Sequence, residues 1–109
     1  MTRINKHPTE EFDASGSIRL VQQAGEAVNL GSSAATATDK DGNDVSTTLL
    51  DQTTLRVTSD PDGGANNALT VLVRGGTEAA SPYRIEFKVA TDLGQIWMVP
   101  TEVYVADYE

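Results

Sequence analysis

The sequence contains no cysteine, so disulfides, zinc ribbons and thiol chemistry are excluded at once. Histidine occurs once, at His7, and one imidazole builds neither a zinc site nor a serine triad without further ligands around it. Basic residues are scarce, with 8 Lys and Arg against 16 Asp and Glu, a formal net charge of −8. Phosphate backbones are gripped by clustered Lys and Arg, so this balance argues against nucleic acid as a partner, and against anionic membrane surfaces too. No apolar run approaches the ~20 residues of a membrane-spanning helix. The segment MTRINKHPTEEFD lacks the apolar stretch of a secretory signal. The expectation is a protein made in the cytosol, or built into an assembly formed there.

What is present is alternation. In Tyr83-Arg84-Ile85-Glu86-Phe87-Lys88-Val89 every second residue is apolar and the residues between are charged. Side chains alternate across a strand, so one face is core and the other wet. The same period runs through Leu69–Arg74 and Thr54–Thr58, and more weakly through Ser17–Leu20 and Glu102–Val105. No window repeats at helical spacing. Short turn signals punctuate the strands: Ala24-Gly25 between Ile18–Val21 and Ala27–Leu30, Asp39–Asp44 after a Ser/Thr/Ala run, Asp60–Gly64, and Asp92-Leu93-Gly94 before Ile96–Val99. Pro100 lacks a ladder N–H and predicts an edge or a bulge at its level.

With 39% apolar residues in 109, the chain can fill one core. The prediction is an all-β protein, a single immunoglobulin-like antiparallel sandwich of about seven strands over residues 16–109. Residues 1–15 carry no period and read as an extended N-terminal arm. The expected core comprises Ile18, Leu20, Val28, Leu55, Val57, Leu69, Val71, Val73, Tyr83, Ile85, Phe87, Val89, Val103 and Val105. In such a sandwich a tyrosine opening the penultimate strand turns its hydroxyl back onto upstream backbone. Tyr83 is placed for that, with Gly75-Gly76 making the turn before it and Gly94 the next one.

Candidate chemistry is thin. Asp39-Lys40-Asp41-Gly42-Asn43-Asp44 has oxygen ligands at alternate positions, but its Gly stands fourth and Leu50 occupies the twelfth position, unlike a calcium loop. A hairpin turn is the simpler reading, and Asp60–Gly64 is the same case with fewer ligands. Glu10-Glu11 are adjacent rather than opposed across a cleft. Gly75-Gly76 lies between two strands, so no helix N-terminus is there to cradle phosphate. No catalytic group, metal or cofactor is expected. Trp97, Tyr104 and Tyr108 leave open a sugar-stacking platform.

Two motifs carry a family resemblance. Lys6-His7-Pro8-Thr9-Glu10-Glu11-Phe12-Asp13 follows a K-D-P-D-E-x-L-D-Y pattern at Lys6, Pro8, Glu10 and Asp13, with Phe12 for leucine. It departs at His7, Thr9 and Ala14. Val73-Arg74-Gly75-Gly76-Thr77, then Tyr83-Arg84-Ile85, follows a Gly-Gly-Thr corner with its tyrosine, and Ala90–Gln95 supplies a final hairpin with Gln95 in place of a basic residue. In these features the chain resembles small bacteriophage virion proteins of the fiber-tail adaptor kind. The resemblance implies a non-enzymatic virion protein, made in the host cytoplasm and joining neck or tail components to neighbouring tail or fiber proteins. Several copies would act in a symmetric assembly. A capsid decoration protein bound to the major capsid protein is the alternative, and a carbohydrate-binding module a second. Under this reading Lys6, Pro8, Glu10, Phe12 and Asp13 form a partner-binding arm with Phe12 as its anchor.

Overall fold

The computed structural model describes residues 2–60 and 65–106. Among these residues are seven strands: β1 (Thr2–Lys6), β2 (Phe12–Ser17), β3 (Ala34–Thr38), β4 (Leu50–Thr58), β5 (Ala68–Val73), β6 (Tyr83–Ala90) and β7 (Ile96–Val105). A single turn of 3₁₀-helix, Leu30–Ser32, precedes β3, and one turn of α-helix, α1 (Ser46–Leu49), leads into β4. The strands form two sheets, ordered β1-β7-β6-β3 and β2-β5-β4. All neighbours are antiparallel except β1, which runs parallel to β7.

The core lies between the sheets and is drawn from alternate positions of each strand. Ile85, Phe87 and Val89 of β6, Val103 of β7 and Leu69, Val71 and Val73 of β5 are fully buried. Arg84 and Lys88, between the core positions of β6, are exposed. The central strand β5 is covered even at Thr70, whose hydroxyl meets those of Ser15 on β2 and Thr58 on β4, each at 2.7 Å. That row pairs the outward hydroxyls of all three strands and leaves no buried oxygen there without a partner.

Several expectations are corrected. The segment expected as an arm is built into the domain over its described residues 2–15: β1 pairs with β7 from Thr2↔Thr101 to Lys6↔Val105, and β2 pairs with β5 from Phe12↔Val73 to Ser17↔Ala68. The pattern is hidden in β1 because its inward residue at position 6 is a lysine. The strand expected over Ser17–Leu20 ends instead at Ser17. The Ile18 carbonyl accepts the N–H groups of Val21 and Gln22, curling the chain into a turn and leaving Leu20 85% exposed rather than in the core. Ala27–Leu30 forms one isolated bridge, Val28↔Thr91, and then the 3₁₀ turn. Leu55 and Val57 pack only partly against the core, because the β4–β5 register shifts between Asp51 and Arg56. Leu49 and Leu50, consecutive at the helix-to-strand junction, are both buried, which no single period would place.

Ile96–Val99 and Glu102–Val105 are one strand with Pro100 inside it. Pro100 stands opposite Glu86 on β6, while β1 begins pairing one residue later at Thr101. At the level of the proline β7 is therefore still an edge, where a missing N–H costs nothing.

Candidate functional site

The two ends of the sandwich differ in kind. One end carries the β1–β2, β3–β4 and β5–β6 connections and is closed by polar staples. Lys6 is wholly buried, and its ammonium donates to the carbonyl oxygens of His7 (3.0 Å) and Pro8 (3.2 Å). Burial lowers its pKa below the usual lysine range, an effect opposed by the nearby carboxylates of Glu10 and Glu11. Glu10 accepts the His7 N–H at 2.6 Å, and His7 Nδ1 lies 2.9 Å from the Thr9 hydroxyl, so the loop folds on itself.

Tyr83 closes the same end. Its hydroxyl accepts the Thr77 N–H at 2.9 Å, tying the β5–β6 connection to the start of β6. Gly76 has φ +90°, and a Cβ there would stand 3.2–3.3 Å from Val105, Leu49 and the Tyr83 ring. Only glycine supplies both that backbone and that clearance. Gly75, at φ +68°, shares the turn, and Gly94, at φ +80°, closes the β6–β7 hairpin, donating its N–H to the Thr91 carbonyl.

Each residue assigned to a docking arm thus has a partner within the domain. Lys6 and Glu10 shape the β1–β2 loop that contains Pro8, Phe12 packs against the core, and Asp13 pairs with Arg56 at 2.8 Å. Phe12 covers the core instead of reaching outward. The reason is the β2–β5 pairing, which fixes Phe12 opposite Val73.

The acidic turn at Asp39–Asp44 is likewise turned inward on itself. Asp39 Oδ1 accepts the N–H groups of Asp41 and Asn43 (2.9 Å each), and its Oδ2 accepts Asn43 Nδ2. These bonds, the Asn43 N–H foremost, hold the Asp39 carboxyl below its ordinary pKa. Asp44 is held low by the Ser46 hydroxyl and N–H. Among the described residues no group of three His, Asp or Glu is placed to share a metal ion. The Asp60–Gly64 turn lies largely outside the described residues, with Asp60 itself paired to Arg19 at 3.2 Å.

Among the described residues the aromatic side chains do not form a shared platform. Trp97 faces inward and packs against the core, and the half-buried Tyr104 donates its hydroxyl to Glu102 at 2.7 Å. Tyr108 lies outside the described residues.

The opposite end, where β2, β4 and β6 finish and β3, β5 and β7 begin, is apolar. Among the described residues, all the exposed large hydrophobics gather there: Leu20 and Val21 after β2, Leu30 in the 3₁₀ turn, Leu93 in the β6–β7 hairpin, and Ile96 and Met98 opening β7. Beside them is a shallow hollow of about 510 Å³ lined by Arg19, Gln22, Glu26 and Asn66 among others. Its wall is fixed by the buried Glu26, which accepts the Thr91 hydroxyl at 2.6 Å and the Gln23 N–H at 2.9 Å. The sequence concealed this cluster, since its members come from two connections and a strand start. No protein-family model matches the chain, and no curated protein matches it in sequence.

Proposed function

We propose that this chain is a non-enzymatic structural protein of a bacteriophage virion, an adaptor that joins neck or tail components to neighbouring tail or fiber proteins. The observation that carries a role in protein contact is the gathering of exposed Leu20, Val21, Leu30, Leu93, Ile96 and Met98 at one end of the sandwich. Apolar side chains concentrated on one surface are a mark of a protein–protein contact, whereas single scattered ones are ordinary. The virion assignment itself rests on the resemblance of the Lys6–Asp13 and Gly75–Tyr83 motifs. The strand order supports reading the fold as immunoglobulin-like: β3, β6 and β7 share a sheet as strands C, F and G do, and β2, β5 and β4 share the other as B, E and D do. The contact surface is the apolar end, not a detached N-terminal arm. The net charge of −8 suits a protein partner better than a phosphate backbone.

Quantitative mass spectrometry of purified particles tests the assignment. An adaptor is present in the few copies of a symmetric ring. Hundreds of copies per particle would replace it with the decoration role, and absence from particles would refute both. Binding to immobilised glycans would favour the carbohydrate module instead.

A further inference from the structure

β7 is an interior strand for only half its length. β1 covers it from Thr101 to Val105, so Ile96–Pro100 has β6 on one side and, among the described residues, no strand on the other. The ladder fixes which backbone groups face the open side. Thr91 donates its N–H to the Gln95 carbonyl, in the same register as the β6–β7 pairs. Bonded and non-bonded pairs alternate along an antiparallel ladder. Trp97 and Val99 therefore turn their N–H and C=O to β6, and Ile96 and Met98 turn theirs to the open side. The far end of the strand agrees: Val105 donates to Ser81 on the β6 side, and Ala106 donates to the Lys6 carbonyl on the β1 side.

The other edge of the same sheet is sealed. On β3 the outward Ala35 carbonyl accepts Gln52 Nε2, the Ala37 N–H donates to Ser46 Oγ, and the Ala37 carbonyl accepts the Val45 N–H. Exposed edges invite strand addition unless they are blocked or charged. On the β7 segment the one such device is Pro100 at its inner end, and Ile96–Val99 before it is unblocked. Gln95–Pro100 carries no charge in a chain of net −8, and Ile96 and Met98 are 60% and 54% exposed.

From this geometry we infer that Ile96–Pro100 is a self-association edge, on which a second copy of the chain pairs antiparallel about a two-fold axis through Trp97. In that register Ile96 of each copy stands opposite Met98 of the other. Both residues have their backbone groups on the open side, so each pair exchanges two hydrogen bonds and the two side chains meet on the outer face. A shift by one residue would set outward backbone groups against inward ones. A two-fold through Met98 would set Ile96 against Pro100, which has no N–H, and one through Ile96 would set Met98 against Gly94 of the hairpin. The axis through Trp97 is therefore the one that pairs Ile96 with Met98. The neutral segment lets the strands meet without like-charge contact. The −8 on each copy opposes approach from a distance, and salt screens that repulsion. This inference does not depend on the virion reading.

Sedimentation or light scattering of the purified chain over a concentration series tests it. The mass should rise from 11.6 kDa towards twice that value, with a midpoint on the order of 100 µM as befits a small interface, and the midpoint should fall with added salt. Amide exchange at Ile96 and Met98 should slow as concentration rises. Ile96→Lys and Met98→Lys, each checked for an unchanged circular dichroism spectrum and melting temperature, should weaken association at least about tenfold. Leu20→Lys, at the same end but off the edge, should leave it unchanged. A protein that stays monomeric to about 1 mM, or a dimer indifferent to both Ile96→Lys and Met98→Lys, would overturn the inference.

Discussion

Gly16 on β2 lies directly against the ring of Phe87 on β6, across the sandwich. A Cβ at position 16 would stand 2.7 Å from both Cβ and Cγ of Phe87, well inside van der Waals contact. Phe87 is fully buried in the middle of its strand and cannot swing away. Gly16→Ala should therefore destabilise the fold by about 1–3 kcal/mol through overpacking, lowering the melting temperature by several degrees. An unchanged melting temperature would mean that the sheets are not as close at this point as described.

Tyr83→Phe keeps the ring in its pocket and removes only the hydroxyl that accepts the Thr77 N–H. The amide of Thr77 then loses its partner in a partly buried corner, at a cost of about 1–3 kcal/mol. Amide exchange at Thr77 should quicken relative to the rest of the protein. A stability equal to the parent would show that water replaces the hydroxyl at no cost.

Deleting residues 2–10 removes β1 from the edge of β7 and takes the buried Lys6 staple with it. The truncated protein should lose substantial stability and expose the whole length of β7, so that it aggregates more readily than the parent. Unchanged thermal unfolding would restore the idea of a dispensable arm.

The carboxyls of Asp39, Asp44 and Asp51 are each held below the ordinary value of 3.8, by hydrogen bonds from groups two to four residues further along the chain. A carboxylate whose pKa is lower folded than unfolded stabilises the fold above the unfolded value, and that contribution disappears as pH falls through the folded value. The 39–44 turn should thus hold its form down to pH 3.8 and loosen below it. Carboxyl titration by NMR should give midpoints under 3.8 for all three residues; a midpoint at or above 3.8 for Asp39 would contradict the bonding described.

The strands whose burial alternates with the chemistry of their residues were legible from the sequence. β6 is the clearest, and the second half of β7 follows, while β5 was legible from its apolar run although it is buried on both faces. The errors have physical causes. β1 was hidden because its inward positions include Lys6, a buried charge satisfied by two loop carbonyls, which reads as a surface residue. Leu20 continued the alternation begun at Ile18, yet backbone bonds to the Ile18 carbonyl bent the chain away first. Gly16 gave no turn signal because its requirement comes from Phe87, 71 positions downstream in the other sheet. The corner of Gly75, Gly76 and Tyr83 could be anticipated because local chemistry sets it. The apolar end could not, since it exists only once the β2–β3 connection meets the β6–β7 hairpin and the start of β7.

A density map of the intact particle tests the central claim most directly. The account predicts this chain in a small symmetric set of copies at the neck or tail, with the end bearing Leu20, Leu30 and Leu93 buried against a neighbouring protein. A map that places it in hundreds of copies over the shell, or that shows that end facing solvent while the Lys6–Asp13 segment makes the contact, would contradict it.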